Sequence, residues 1–374
     1  MKERNVNLDI VRIIAALMVL FVHVGYEFPW IGDYTWTGYY GVMLFFVLSG
    51  YLSMVSVDNS ADALTFYKKR LLRIVPLYWA VLVIAYILEL ITYLPQQGLA
   101  VFSSDGPCGI AYLRYFVFLN MTVPSENFTL WNNRFGFWTL PAFVLFYLLA
   151  PLIRKLIRQY FSALCVLIIL LFCYHPFVAW LQELLGSRFP WMDSPEVFAQ
   201  WTPVSVLYCF FFGVTVYYAK INRREFSFVI LCIISMIFNE FRWFAWEIVM
   251  ALLVLGAISL PSLIPGAADS APGSAPETTP PDKPAKPALR TRLTQWIATA
   301  SAVSFPLYLT HILTLSRVMK LQNILTPVIR HKGFLLFVLA VCMVVAYLTW
   351  RFIAKPLDRL LLRGRSPRTP KGSE

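Results

Sequence analysis

Apolar positions along the chain fall in continuous runs, not in alternation. Ten runs stand out, at about Leu8–Phe28, Gly38–Val55, Leu77–Leu94, Phe137–Ile153, Phe161–Leu181, Trp201–Ala219, Phe226–Phe238, Trp243–Leu260, Trp296–Leu315 and Phe334–Ile353. A helix needs about 20 apolar residues to cross the roughly 30 Å hydrocarbon core of a bilayer. Ten-residue alternating segments, the mark of a membrane barrel, are missing. The pattern therefore predicts an all-α fold, a polytopic bundle of about ten transmembrane helices. The seventh run is short, so Phe226–Leu260 is expected to form a broken hairpin.

Polar positions between the runs set the orientation. Lys2 and Arg4, Lys68–Arg73, Arg154–Arg158, Lys220–Arg224, Lys283–Arg292 and the Arg-rich tail after Ala354 all fall on one side of that count. The positive-inside rule makes that side cytoplasmic, with both termini inside. Met319–Lys332 breaks the rule, since Lys320, Arg330 and Lys332 land on the other side, and only a tilted or half-inserted ninth segment offers an account. Six prolines between Gly266 and Leu289, among Ala, Ser and Thr, read as a flexible cytoplasmic linker. The expected organisation is a transmembrane core over 1–260, a linker over 261–292, two further spans of the same domain over 293–354 and a basic cytoplasmic tail over 355–374. The longest outer connection, Pro95–Gly136, holds Asp105, Arg114, Glu126, Asn132, Asn133 and Arg134 with Trp131. Such a loop suits a sugar, and equally an ordinary cap. Its sequons at Asn120 and Asn127 are too common by chance to carry weight.

Composition narrows the class. The 374 residues are 59% apolar and 14% charged, where soluble domains are about 25% charged, which excludes a soluble enzyme. A mean hydropathy of +0.64 agrees. The 30 Phe, 19 Tyr and 12 Trp suit buried spans and interfacial belts. The net charge of +12 sits in short clusters that orientation explains better than nucleic acid does. Six cysteines without C-x-x-C spacing give no metal site and no disulfide framework. The N-terminus lacks a small-residue cleavage site and reads as a retained first span.

Ionisable groups inside a span cost about 2.5 to 3.5 kcal/mol each even on the lenient insertion scale, so they ask for a reason. The first span has Asp9, Arg12 and His23. Arg12 and His23 lie eleven positions apart, which leaves roughly 20° between them around a helix and about 16 Å along it. They share a face without touching. Ala15 and Ala16 keep that face thin, leaving room for a ligand or a neighbouring helix. Asp9, at i−3, can pair with Arg12. The plainer readings are an interhelical hydrogen bond for His23 and snorkelling for Arg12. Arg70 and Arg73 are i,i+3 neighbours before Pro76, and two guanidinium forks suit phosphate, although topology alone also calls for a basic loop there. Gly41–Gly50, ending in Ser49-Gly50, allows close backbone approach, with helix packing as its default explanation.

Together these residues resemble the acyltransferase 3 family of integral membrane O-acyltransferases. The resemblance rests on Leu8-Asp9-Ile10-Val11-Arg12 and His23 at Arg-x10-His spacing, Gly41-Val42 to Phe45-Phe46-Val47-Leu48-Ser49-Gly50, and Arg70-Leu-Leu-Arg73-Ile-Val-Pro76-Leu-Tyr78-Trp79. Weaker echoes follow at Trp138-Thr-Leu, Phe146-Tyr147 to Pro151, Ser304 to His311 and Lys355-Pro356. The resemblance implies His23 as the catalytic residue and Arg12, Arg70 and Arg73 as contacts to acyl-CoA, with Ser49 and Tyr78 beside them. Asp9, Tyr147 and His311 are expected to support the site, and Trp131 and Trp138 to meet the acceptor. Many members carry acidic residues where this chain has Phe143 and Val144, which removes a carboxylate partner for His23 from that helix.

The implied activity is transfer of an acyl group, with acetyl expected and succinyl open, from cytoplasmic acyl-CoA to a hydroxyl of a glycan or glycolipid at the outer face of a bacterial inner membrane. CoA phosphates would sit at the arginines and the thioester near His23, acting as general base or as covalent relay. Neither metal nor nucleic acid is expected, and membrane lipids surround the protein. No hydrolase-like domain follows the last span, so a stand-alone member is expected, and the oligomeric state stays open. The rival is a multi-span transporter or flippase, whose ion path would use Glu89, Glu247 and His311. A third reading is a non-catalytic sensor with the linker as its partner site.

Overall fold

A computed structural model describes residues 5–32, 37–104, 106–237, 244–263 and 289–362. Asp105, the start of the eighth expected span, most of the expected linker and the tail beyond 362 lie outside the described residues. Fourteen α-helices follow one another, with no strand among the described residues: α1 Val6–Glu27, α2 Tyr40–Asp58, α3 Ala63–Gln97, α4 Ala111–Phe116, α5 Phe128–Trp131, α6 Leu140–Leu156, α7 Tyr160–Arg188, α8 Pro195–Trp201, α9 Leu207–Ile221, α10 Glu225–Ile237, α11 Ala245–Ser259, α12 Leu289–Val318, α13 Gln322–Thr349 and α14 Lys355–Leu362.

Among the described residues six helical stretches are long and apolar enough to cross a membrane, the last of them, Thr291–Leu361, holding α12 to α14. Three expected spans correspond to the shorter helices α9, α10 and α11, of 15, 13 and 15 residues. At 1.5 Å per residue these are about 20 to 22 Å long, under the thickness of the hydrocarbon core.

Three boundaries differ from expectation. α3 starts at Ala63, not Leu77, because Asp62 caps it by accepting the Thr65 N–H at 2.6 Å, and it runs unbroken past Arg70, Arg73 and Pro76. A proline inside a span is tolerated where neighbouring groups re-satisfy the freed carbonyl. Met319–Lys332, expected as a loop, is a 3-10 turn followed by α13, broken only at Arg330, whose φ is +59°. The run expected from Trp201 splits into α8 and α9.

The chain forms two compact units. One comprises Met1–Tyr51, Gln159–Leu167 and Cys209–Tyr308. Here backbones approach through glycine: a Cβ at Gly41 would stand 2.6 Å from the Ala15 carbonyl oxygen, Gly50 lies on the Phe210 carbonyl and Gly213 on the Val47 carbonyl. The last two are reciprocal, so α2 and α9 cross nearly backbone to backbone. Buried Asn7 fastens α1 to α11. Its side chain donates to the carbonyls of Ala257 at 3.2 Å and Pro261 at 3.2 Å and accepts from the Leu263 N–H at 2.9 Å, satisfying groups that a helix end leaves open.

The other unit comprises Leu52–Arg158, Ile168–Tyr208 and Leu309–Glu374. In it the expected outer loop is a folded layer. Tyr78 donates to the Tyr115 carbonyl at 3.0 Å and Tyr115 to the Leu130 carbonyl at 3.1 Å. Asn120, fully buried, donates to the Phe137 carbonyl at 3.0 Å, so that sequon is closed to modification in the folded protein. Trp138 stacks on Trp201, ring centroids 4.9 Å apart.

Candidate active site

In the first unit α1 carries Asp9, Arg12 and His23 on one unbroken helix. Arg12 Nη1 donates to Asp9 Oδ1 at 3.1 Å and to Ser301 Oγ at 2.9 Å, and the Ser301 hydroxyl donates to Asp9 Oδ1 at 2.7 Å. Each of the three groups meets the other two, so the guanidinium charge is offset inside the helix packing. Ser301, on α12, was not legible: a small polar residue in an apolar run reads as a packing position. His23 is half-buried, its ring 6.2 Å from that of Tyr26. The uninterrupted helix places it about 16 Å along the axis from Arg12. Of the two occupants expected beside the thin Ala15–Ala16 face, the structure shows a neighbouring helix, since Gly41 of α2 lies on Ala15. Ser49 is half-buried on α2.

In the second unit the two arginines of α3 are differently engaged and do not form the even pair of forks that their spacing suggested. Arg70 donates through Nη2 to the Leu52 carbonyl, and its guanidinium lies 5.6 Å from the Tyr147 ring and 5.9 Å from that of Phe66. Part of its binding capacity is thus spent in packing. Arg73 is exposed, with Asp358 of α14 within reach of its charge. Tyr147, expected to support the site, lies under the Arg70 guanidinium. Tyr78 is fully buried with its hydroxyl donated to Tyr115, and it braces the outer layer. Trp131 lies half-buried beneath Arg114, 4.3 Å from guanidinium to ring. Trp138 and His311 are buried.

One ion pair escaped the sequence reading. Glu89 of α3 meets Arg134 of the outer layer at 2.7 Å, and the Tyr112 hydroxyl lies 3.3 Å from the same carboxylate oxygen. Burial pushes the Tyr112 phenol up, which keeps it a donor. Glu89, which the transporter reading would use, is a paired structural group here. The two residues are 45 positions apart with no periodic relation, so pattern alone could not join them.

With no strand among the described residues and with charges paired inside long apolar helices, the chain is a polytopic helical membrane protein. A family model described as an acyltransferase domain matches residues 5–351. The chain belongs to that family, the acyltransferase 3 family, and is an integral multi-pass membrane acyltransferase. No curated protein and no solved structure matches it.

Proposed function

We propose that the chain transfers an acyl group, acetyl in the simplest case, from cytoplasmic acyl-CoA to a hydroxyl of a glycan or glycolipid at the outer face of a bacterial inner membrane. What carries this reading is the family match across residues 5–351 together with Arg12 and His23 on one unbroken helix. Both termini are placed in the cytoplasm on the distribution of Lys and Arg. Neutral His23 takes the proton of the acceptor hydroxyl as its oxygen attacks the thioester carbonyl. The C–S bond breaks and the proton passes to the CoA thiolate. In the covalent variant the imidazole attacks first, releases CoA and passes the acyl group on. The resemblance assigns Arg12 in the first unit, and Arg70 and Arg73 in the second, to the CoA phosphates; Arg70, over the Tyr147 ring, gives part of its capacity to packing.

The test is His23→Ala in the full chain. It should insert, bind CoA with wild-type affinity and lose acyl-CoA consumption. Wild-type turnover in a well-expressed His23→Ala protein would remove the proposed mechanism.

A further inference from the structure

The cations around Met319–Lys332 contravene the charge rule, and acyl transfer as proposed gives them no task. The second unit shows where two cations at this end of α12 are engaged. Arg317 donates through Nη1 to Thr92 Oγ1 at 2.7 Å, and Thr92 stands one helical turn beyond Glu89 on α3. The charges of Arg317 and Lys320 both reach the Glu89 carboxylate, which already holds Arg134. Gly136, two residues after Arg134, lies against Ile312 of α12, so the outer layer and α12 are in direct contact.

Two guanidinium groups, with Lys320 exposed beside them, stand around one carboxylate, so positive charge is in excess. Two N–H-bearing atoms of the cluster, Arg134 Nη1 and Arg317 Nε, are buried with no hydrogen-bond partner, and the Arg134 side chain is only 9% exposed. Charged donors left unmade in a buried place are costly and call for an absent acceptor. An anionic acceptor completes the set. A phosphate monoester carries about −1.5 to −2 at pH 7 with three acceptor oxygens, and guanidinium forks bind phosphate bidentately, so one such group can meet both unpartnered donors.

We propose that Arg134 and Arg317 form a receptor for a phosphate group borne by the acceptor molecule. Naming the ligand as the acceptor rests on the acyl-transfer reading, whereas the anion site itself does not. The expected topology puts this cluster at the outer face, where the acceptor arrives, and sets Lys320, one of the cations on the wrong side of the charge rule, beside it.

Calorimetric titration of the full chain in detergent with sn-glycerol 3-phosphate, at fixed ionic strength, tests it. Wild type should bind saturably. Arg317→Gln, which leaves the Glu89–Arg134 pair intact, and Arg134→Lys, which keeps the charge, should each bind at least tenfold more weakly. Lys332→Gln, an equal loss of charge farther along the chain, should bind as wild type. No saturable binding, or equal binding by both arginine variants, overturns the site. Repeating the titration in nanodiscs separates the sources of phosphate. Retention in both phosphatidylcholine and phosphatidylglycerol discs supports the acceptor, and loss in phosphatidylglycerol alone assigns the site to bulk lipid and overturns that assignment. The His23→Ala assay contains no such probe, so either reading can fail alone.

Discussion

Replacing Ser301 by Ala removes one hydroxyl and with it two contacts, the 2.7 Å donation to Asp9 and the 2.9 Å acceptance from Arg12. Hydrogen bonds between membrane helices are worth about 0.6 kcal/mol on average and up to roughly 1.7, so the loss should be about 1 to 3 kcal/mol. Asp9→Asn keeps an acceptor and removes the charge that faces the guanidinium at 3.1 Å. Breaking a buried pair from one side costs about 3 to 5 kcal/mol, and with the Arg12 side chain 21% exposed screening should hold the cost to the lower end. Because each of the three groups meets the other two, the two changes should not add. A coupling of at least about 0.5 kcal/mol is expected where contacting residues share a network. Reversible unfolding of the two single variants and the double variant in mixed micelles, followed by helical circular dichroism, measures it. Ser301→Ala should also raise the donor KM more than it lowers kcat, since Arg12 loses orientation while His23 does not. Additivity within about 0.3 kcal/mol, with unchanged KM, would refute the reasoning.

Gly213→Ala forces a methyl against the Val47 carbonyl and should destabilise the protein by about 1 to 3 kcal/mol, the range for overpacking, in the same unfolding assay; a neutral result would mean that α2 and α9 can separate freely. Arg73→Ala should leave stability unchanged because the side chain is exposed, yet weaken CoA relative to dephospho-CoA in a titration, while Arg70→Ala should lower stability as well by removing the bond to Leu52. The Asp62 carboxylate is held below its ordinary range, first by the Thr65 N–H it caps. Its contribution is therefore full above the unfolded value of about 3.9 and lost as pH falls through the lower folded value, so the protection of amides at the start of α3, exchange taken relative to the intrinsic rate, should fall there. Asp62→Asn keeps a cap and should abolish that pH dependence.

How far the sequence could be read followed the physics of each element. α1 and α2 were legible because an uninterrupted apolar run has one reading in a bilayer. The start of α3 was not, since Lys68–Arg73 marks an interface and says nothing of whether the helix continues through it. The outer layer escaped because its short helices are fixed by single side-chain bonds from Asn120, Tyr78 and Tyr115 to distant carbonyls, which leave no periodicity. Within the site, the Asp9–Arg12 pair followed from i,i+3 spacing, whereas Ser301, 292 positions from Asp9, and Arg134, the partner of Glu89, come from contacts that only tertiary packing creates.

The same long separations set an order of events in the living cell. α1 leaves the ribosome before the helices it will meet, carrying Asn7, Asp9 and Arg12 into lipid, while Ala257 and Ser301 lie 250 and 292 positions downstream. At about 5 to 20 residues per second, synthesis takes roughly 15 to 60 s to reach Ser301. Through that interval the newborn helix must shelter its own polar groups, and the i,i+3 contact between Asp9 and Arg12 is a partner it brings along. A nascent chain stripped of that contact would offer a bare guanidinium to the insertion machinery, so loss of Asp9 should reduce the yield of inserted protein before any stability of the finished bundle comes into play.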